Sequence, residues 1–264
     1  MLPETFWGRI QYLLQQYGAS FLSGAGNTMI IAIVGTFLGC LIGFIVGIIQ
    51  TIPVDKRDST AKKTLVGILK FIMACYVEFF RGTPMMVQAM FIYYGSAYLF
   101  NINMSMWFAA FFVVSINTGA YMAETVRGGI LSVDDGQTEA AKAIGMTHVQ
   151  TMMDVILPQA LRNIMPQIGN NLIINIKDTC VLSIIGIVEL FYTTKGVAGA
   201  YYTYFEAFTI AMVMYFILTF VCSRLLRLLE HKMEGPQNYD LATTDTLTHT
   251  SGLYSYPKKK KEEK

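Results

Sequence analysis

The chain has 264 residues, of which 53% are hydrophobic and only 14% are charged, and its mean hydropathy is +0.44. Soluble domains carry about 25% charged residues, so this composition excludes a soluble globular protein, a disordered chain and a disulfide scaffold. The formal net charge of +2 gives no reason to expect nucleic acid as a partner. The composition indicates an integral membrane protein, with the lipid membrane as its surroundings.

The amino-terminal region combines a polar start with a long apolar run. Residues 1–20 carry Glu4 before any apolar run and lack the basic start of a cleaved signal peptide, so we interpret them as an amphipathic lead-in. Residues 29–49, approached through apolar residues from 21 onwards, contain no charge and are long enough to cross a bilayer. Glycines recur on one face of this run, at Gly35, Gly39, Gly43 and Gly47. This face predicts the close approach of another helix.

The next apolar stretch, residues 64–99, is too long for one straight span and too short for two spans with a loop. Glu78 and residues 81–84 interrupt it. Pro84 suits the first turn of a helix and disfavours helical geometry in the residue before it. We therefore predict an amphipathic or tilted segment, a break at the proline, and a second span that ends near residue 100.

Three further spans are predicted, at residues 104–125, 167–190 and 208–226. Residues 127–166, between the third and fourth spans, are polar and helical in pattern, without a continuous apolar run. Residues 233–264 are polar, end in KKKKEEK and are predicted to form a disordered tail. The expected fold is an all-α membrane protein with about five transmembrane helices, and its membrane domain covers residues 21–232.

The distribution of basic residues predicts the orientation of these spans. Lys and Arg favour the cytoplasmic side, and they cluster at residues 51–63 and at the end of the fifth span. The connections at residues 100–104 and 191–207 contain one basic residue between them, Lys195. Five spans place the ends of the chain on opposite sides, so we expect the amino end outside. The carboxyl end and residues 127–166 are then cytoplasmic.

The cytoplasmic segment contains GQTEAAKAIGMTHVQTMMDVILPQALRNIMP at residues 136–166. Its pattern consists of Glu139, Ala140 and Ala141, then Gly145, and then Ile156, Leu157 and Pro158. This pattern resembles the cytoplasmic loop of the permease subunits of ATP-binding cassette importers. The stretches RGTPMMVQAMFIYYG, NTGAYMAETVRGGILSV and NNLIINIKDTCVLSIIGIVEL are similar to the polar amino acid uptake branch of that family. The resemblance covers residues 20–232 and implies a type I importer permease fold.

The residue types in this segment suit a helix–turn–helix coupling element, which we call the elbow. Its alanines have little bulk, so another protein's groove can close around the first helix, and Gly145 can end that helix in left-handed geometry. Thr147 and Gln150 form a capping-box pattern that starts the next helix, which is expected to stop near Pro158. The resemblance implies that the elbow docks into an ATPase subunit, with Glu139 in a polar or ionic contact. An amphipathic helix lying on the membrane surface is the alternative.

Motifs for chemistry are absent from the sequence. It contains no Walker phosphate-binding loop, no HExxH and no GxSxG, and its three histidines are isolated. We therefore expect a transporter subunit without catalytic residues, metal site or cofactor, and we expect ATP and Mg²⁺ to bind a partner ATPase. The four cysteines lie in apolar stretches without a Cys-x-x-Cys pair, and we interpret them as small packing residues.

Ionisable residues inside the spans are the candidates for substrate contact, because each costs at least about 2.5–3.5 kcal/mol at a helix centre. A zwitterionic amino acid needs a basic partner for its carboxylate and an acid or carbonyls for its ammonium. Candidates are Arg81 and Lys177 for the first need, Glu78 and Asp178 for the second, and Gln88, Asn117, Tyr121, Thr179 and Ser183 for further hydrogen bonds. Two alternatives are that the four charged residues pair to hold helices together, or that Glu78 and Arg81 lie at the cytoplasmic interface.

The resemblance implies a bacterial multi-pass permease that works by alternating access. Its implied partners are a second permease, identical or related, two ATPase subunits, an extracellular solute-binding protein and an amino acid substrate. The residues do not choose among basic, acidic and neutral amino acids. The alternative function is an ATP-independent channel or secondary carrier for small polar solutes, which would need no docking elbow.

Overall fold

The computed structural model describes residues 2–54 and 59–234. The predicted disorder of the tail beyond residue 234 falls outside the described residues, as do the loop residues Lys56 and Arg57 used to predict orientation. The described helices are α1 (Phe6–Thr51), α2 (Thr60–Gly82), α3 (Met85–Phe100), α4 (Met106–Leu131), α5 (Asp135–Ala143), α6 (His148–Gln150), α7 (Leu157–Asp178), α8 (Leu190–Tyr201) and α9 (Tyr204–Glu234). A π-helical segment, Thr151–Ile156, precedes α7, and a 3₁₀ segment, Thr179–Ile185, follows it. The described part of the chain is all-α, as predicted.

The first helix is a single element of 46 residues, so the lead-in at residues 1–20 is continuous with the first span. The side chain of Thr5 caps it by accepting a hydrogen bond from the N–H of Gly8 at 3.2 Å. No proline lies between Pro3 and Pro53, and nothing else in this sequence interrupts the backbone ladder. At 1.5 Å per residue the helix is roughly 69 Å long, well beyond the hydrocarbon thickness of a bilayer.

The glycine face of α1 packs directly on α4. A Cβ atom added at Gly39 would lie 2.6 Å from the Cβ atom of Thr118, and one added at Gly47 would lie 2.8 Å from that of Val126. Such distances leave no room for a side chain, which confirms that the glycines permit close helix approach. Residue numbers rise together along this contact, so α1 and α4 run parallel. The chain must therefore cross back between them.

That return crossing consists of α2 and α3 together. Lys70 lines a cavity with Arg127, whereas the carbonyl of Phe80 accepts a hydrogen bond from Asn117 Nδ2 at 3.2 Å. The numbering along α2 thus runs opposite to that of α4. The helix is interrupted at the predicted place, before Pro84, which has a φ of −65° at the start of α3. α3 alone has 16 residues and, at roughly 24 Å, is shorter than a bilayer core of about 30 Å.

The remaining crossings alternate in the same way. α7 runs antiparallel to α4, because Asn163 contacts Ser132 while Asn175 contacts Thr118. Among the described residues, α1, α4 and α9 are each long and apolar enough to span a membrane. The stretches His148–Ile185 and Leu190–Tyr201, which are bent by 56° to each other, meet the same requirement as a pair. With the interrupted α2–α3 pair, the described chain passes five times along the bundle. Three or four of these passes are long and apolar enough to span a membrane, so the span predicted for α2 and α3 stays a prediction.

Pro158 does not stop the helix that follows the elbow, and the prediction of a stop there was wrong. Pro158 lies in the first turn of α7, and the π-helical segment ends just before it. A proline has no N–H and its ring collides with the carbonyl four residues earlier, which here belongs to Asp154. The wider π turn accommodates this collision, so the helix continues to Asp178.

Candidate functional site

A cavity of about 510 Å³ lies where the break between α2 and α3 faces α4 and α7. We call it the central cavity. Its lining comes from residues 81–85 at the break, from Asn117, Thr118 and Tyr121 on α4, and from Asn171, Ile174, Asn175 and Asp178 on α7. Four of the predicted substrate residues therefore line one space although they are up to almost 100 positions apart, namely Arg81, Asn117, Tyr121 and Asp178.

The basic side chain of the central cavity is Arg81, and it has a partner from its own chain. Its Nη1 atom lies 2.6 Å from Glu124 Oε2, and its guanidinium lies 5.5 Å from the centre of the Tyr121 ring. The break also lies level with Asn117, which is close to the middle of the 26-residue α4. Arg81 is therefore placed near the middle of the bundle rather than at its elbow end.

Gln88 forms part of the cavity wall instead of its lining. It is buried, and its Nε2 atom donates to the carbonyls of Phe80 and Thr83, both at 2.9 Å. Its Oε1 atom accepts a hydrogen bond from Asn117 Nδ2 at 3.0 Å. The end of α2 leaves carbonyls without intrahelical donors, and Gln88 satisfies two of them. Its role is to hold the break together.

The start of α3 faces the central cavity through Pro84 and Met85. The first N–H groups of a helix have no intrahelical acceptor, and no described side chain caps this helix start. The positive end of the helix dipole adds to these N–H groups. The break therefore presents an anion-attracting helix end beside Arg81.

The α7 wall of the cavity contains two buried asparagines that the sequence prediction missed. Asn175 Nδ2 donates to Thr36 Oγ1 at 2.7 Å and to Thr118 Oγ1 at 2.9 Å, so it ties α7 to α1 and α4. Asn171 Nδ2 donates to the carbonyl of Gln167 at 3.0 Å. Asn175 follows Asn171 by four positions and Asp178 follows Asn175 by three, so the three residues share one helix face, and that spacing was the available signal.

The other predicted substrate residues lie outside the central cavity. Lys177 is exposed and makes no hydrogen bond or ion pair within the described residues, since it points about 100° away from Asp178 around the helix. Thr179 is fully buried and donates to the carbonyl of Ile176 at 3.0 Å. Glu78 lines a second cavity of about 290 Å³, described below. It is not the partner of Arg81.

The elbow forms as predicted, beginning with α5. Gly145 has a φ of +83°, and its N–H donates to the carbonyl of Lys142 at 3.0 Å while the N–H of Met146 donates to that of Ala141 at 3.0 Å. These two bonds form the left-handed cap typical of glycine-terminated helices. The chain then turns sharply into α6.

The predicted capping box starts the second arm of the elbow. The N–H of Gln150 donates to Thr147 Oγ1 at 3.3 Å, and the N–H of Thr147 donates to Gln150 Oε1 at 2.9 Å. Two N–H groups at the helix start are thereby satisfied within four residues of sequence. Both ends of the turn are held by local hydrogen bonds.

The elbow presents an exposed surface with two apolar side chains that the sequence prediction did not single out. Ile144 is 79% exposed and Val149 is 69% exposed, on either side of the glycine turn. Glu139 and Ala140 are also exposed, whereas Ala141 is 4% exposed and packs inward. Leu157 is half-buried and Pro158 is exposed, and both lie on α7, away from the turn. The signal was a pair of apolar residues flanking Gly145 in a polar segment.

The elbow is attached to the helix that forms the α7 wall of the cavity. Gln159 Nε2 lies 3.3 Å from Gln137 Oε1 of α5, and Asn163 Nδ2 donates to Ser132 Oγ at 3.0 Å. α7 then continues to Asp178 without interruption. The elbow and the α7 wall of the central cavity are therefore joined through one helix.

Comparisons with known proteins agree on the family. The model of the binding-protein-dependent transport system inner membrane component matches residues 60–235. The glutamine transport system permease protein GlnP of Escherichia coli K12 is 35% identical over 214 residues, covering 81% of this chain and 92% of that protein. The putative glutamine transport system permease protein GlnP of Rickettsia typhi is 33% identical over 226 residues, covering 85% and 98%.

Solved structures show the same fold. The crystal structure of an amino acid ABC transporter with histidines has a TM-score of 0.72 and 34% identity, covering 83% of this chain and 96% of that one. An inward-facing MetNI methionine ABC transporter has a TM-score of 0.65 at 19% identity, covering 81% and 95%, and this likeness concerns the fold alone. The predicted resemblance is confirmed: the chain belongs to the inner membrane components of binding-protein-dependent transport systems, and it is a multi-pass membrane protein of that family.

Proposed function

We propose that this chain is the permease subunit of an ATP-driven amino acid importer and that its central cavity binds the amino acid. The observation that carries this proposal is the composition of the cavity lining. One space contains the Arg81 guanidinium, the start of α3 and the Asp178 carboxylate. A zwitterion needs partners of both signs at once, and this arrangement supplies them.

The chemistry assigns each end of the substrate to a different wall. Arg81 and the N–H groups at the start of α3 receive the carboxylate, because both present positive potential. Asp178 on α7 receives the ammonium group. Asn117 and Asn171 contribute amide groups, each able to donate and accept hydrogen bonds. These amides suit a neutral polar side chain, and the two GlnP relatives are named for glutamine. We therefore propose glutamine, or a closely related polar amino acid, as the substrate.

The elbow is proposed to dock into a partner ATPase. That partner, rather than this chain, is proposed to bind ATP and Mg²⁺. Its contact surface consists of Glu139, Ala140, Ile144 and Val149, which are all exposed. Closure of the ATPases moves the elbow, and α7 carries that movement to Asn171, Asn175 and Asp178. A second permease and an extracellular solute-binding protein complete the proposed complex. An ATP-independent carrier would not need exposed apolar side chains such as Ile144 and Val149 beside a glycine turn.

The proposed docking also sets the orientation. The carboxyl end of α4 leads directly into the elbow, and α1 runs parallel to α4. α9 runs parallel to α1, because Arg9 pairs with Glu206 at 3.1 Å and Leu14 lies beside Val213. An elbow that meets a cytoplasmic ATPase therefore places the amino end outside and the carboxyl-terminal end of α9 in the cytoplasm.

Uptake by the purified complex in proteoliposomes tests the proposal. The complex contains this permease with its second permease and ATPases, and the binding protein is supplied outside. Labelled L-glutamine is expected to accumulate inside the proteoliposomes only when ATP and Mg²⁺ are present on the side of the membrane that the ATPases face. Unlabelled amino acids are then added as competitors, one at a time. Accumulation of glutamine without ATP would contradict the importer assignment. Absence of ATP-driven glutamine accumulation, or stronger competition by a charged or apolar amino acid than by unlabelled glutamine, would contradict the proposed substrate.

A further inference from the structure

The ion pair between Arg81 and Glu124 joins two cavities. Arg81 lines the central cavity, whereas Glu124 lines the second cavity, of about 290 Å³, which lies nearer the elbow end of α4. The other residues of the second cavity are Gln50, Lys70, Ala74, Val77, Glu78 and Arg127. The contact of 2.6 Å between Arg81 Nη1 and Glu124 Oε2 is therefore the boundary between the two spaces.

In this arrangement Arg81, the main cation of the central cavity, is already paired with the carboxylate of Glu124. A substrate carboxylate approaching Arg81 meets a guanidinium whose charge is offset by Glu124. The two side chains line cavities and are 37% and 40% exposed, so burial does not lock them in place and the net stabilisation by the pair is small. A pair of this kind can be exchanged for another carboxylate at little cost, whereas a fully buried pair could not.

The second cavity provides alternative partners for the released carboxylate. Lys70 and Arg127 line the same space as Glu124. Arg127 lies three positions after Glu124 on α4, a spacing that brings side chains together on one helix face. Glu124 can therefore leave Arg81 without losing every cationic neighbour. Glu78 shares this cavity but makes no hydrogen bond or ion pair within the described residues.

We infer that Glu124 competes with the carboxylate of the substrate for Arg81. Its carboxylate occupies Arg81 while the central cavity is empty, and it turns towards Lys70 and Arg127 when the substrate carboxylate takes Arg81. The competition keeps binding weak enough for release, because the returning Glu124 displaces the substrate from Arg81. This inference rests on the proposed amino acid site, and it assigns a role in substrate release to a residue that need not contact the substrate.

The test is L-glutamine binding to the purified permease–ATPase complex, measured beside ATP-driven uptake. Glu124→Gln removes the competing charge, so the Kd for glutamine is expected to fall by about 1.5- to fivefold, the range that corresponds to an exposed ion pair. Maximal uptake is expected to fall at the same time, since release is slower. Glu78→Gln is the matched control, because it removes the same charge from the second cavity without touching Arg81. It is expected to leave both values unchanged.

Two further comparisons separate this inference from the proposed function. Binding of L-glutaminamide, which lacks the carboxylate, is expected to be equally weak in the wild-type and Glu124→Gln complexes. Should Glu124→Gln fail to assemble, Glu124→Asp is expected to tighten binding, because its shorter side chain withdraws from Arg81. Unchanged or weaker glutamine binding in the assembled Glu124 variant overturns the inference. Failure of the wild-type complex to bind glutamine, or normal binding by Arg81→Gln, overturns the proposed site instead.

Discussion

The elbow and the central cavity are built in opposite ways. The turn of the elbow is held by hydrogen bonds between residues at most five positions apart, such as the pair formed by Thr147 and Gln150 and the cap at Gly145. The central cavity depends on contacts between distant segments, such as Asn175 with Thr36, which are 139 positions apart. The elbow is thus a local structure that exposes its side chains, whereas the cavity exists only when four helices, α2, α3, α4 and α7, are correctly packed.

This difference separates two kinds of failure. A change on the surface of the elbow should leave the fold and the substrate site intact and remove only the connection to the ATPase. A change in the cavity lining should alter affinity, and a change in the helix seam behind the lining should alter stability. The variants below test that separation.

The largest effect is expected from Ile144→Glu. The side chain is almost fully exposed, so the fold should tolerate a charge, but an apolar docking contact should not. ATP-driven uptake in proteoliposomes is expected to fall by more than about tenfold, the change that corresponds to roughly 1.4 kcal/mol of lost docking energy. Membrane insertion and glutamine binding should be unchanged. Full ATP-driven uptake by this variant would remove Ile144 from the docking surface.

The next effect concerns the cavity lining. Asp178→Asn removes the charge proposed to receive the ammonium group, and a hydrogen bond to a charged group contributes about 1.5–3 kcal/mol. The half-saturating glutamine concentration is expected to rise by about tenfold or more. Lys177→Gln is the matched control, since Lys177 adjoins Asp178 in sequence but lies outside the lining. Equal kinetics for the two variants would contradict the assignment of Asp178.

A smaller effect is expected at the helix seam, the contact between the glycine face of α1 and α4. Gly39→Ala places a Cβ atom against Thr118, and overpacking of this kind typically costs about 1–3 kcal/mol. The midpoint of thermal unfolding in detergent should fall. Gly26→Ala is the control on the same helix, because a Cβ atom there meets open space and alanine favours the helix by roughly 0.5–1 kcal/mol. Equal unfolding midpoints for the two variants would show that α1 and α4 can move apart without loss of stability.

The smallest effect is expected from Thr147→Ala in the capping box. Loss of an N-cap side chain costs about 0.5–2 kcal/mol, but the second arm of the elbow continues into α7 and remains helical. We expect a partial loss of coupling, about twofold in ATP-driven uptake, with unchanged glutamine affinity. Thr147→Ser restores the acceptor oxygen and should restore uptake. A change in affinity instead would show that the elbow and the cavity are not separable.

Much of the fold could be predicted because its signals are local or periodic. Pro84 marked the interruption between α2 and α3, and the four-residue spacing of the α1 glycines indicated a helix contact. The elbow was predicted in detail because its caps depend on neighbouring residues. Pro158 was misjudged because a π turn, which depends on the whole helix, accommodated it.

The cavity was predicted only in part, because side-chain direction decides which residues meet. Lys177 and Asp178 are adjacent in sequence but point to different sides of α7, and only Asp178 faces the cavity. Gln88 was predicted beside the substrate, yet the carbonyls at the broken end of α2 engage it. Arg81 pairs with Glu124 on another helix rather than with Glu78 on its own.

The sequence by itself determined the membrane class, the family, the interruption before Pro84 and the elbow, since each follows from composition or from residues within a few positions. Only the tertiary structure decided that Arg81, Asn117 and Asp178 share one cavity, that Asn171 and Asn175 form its wall, and that Glu124 holds Arg81. The physical reason is that local hydrogen bonds follow from neighbouring residues. Contacts between distant helices follow from their register and rotation, which the packing of glycines and buried polar groups sets.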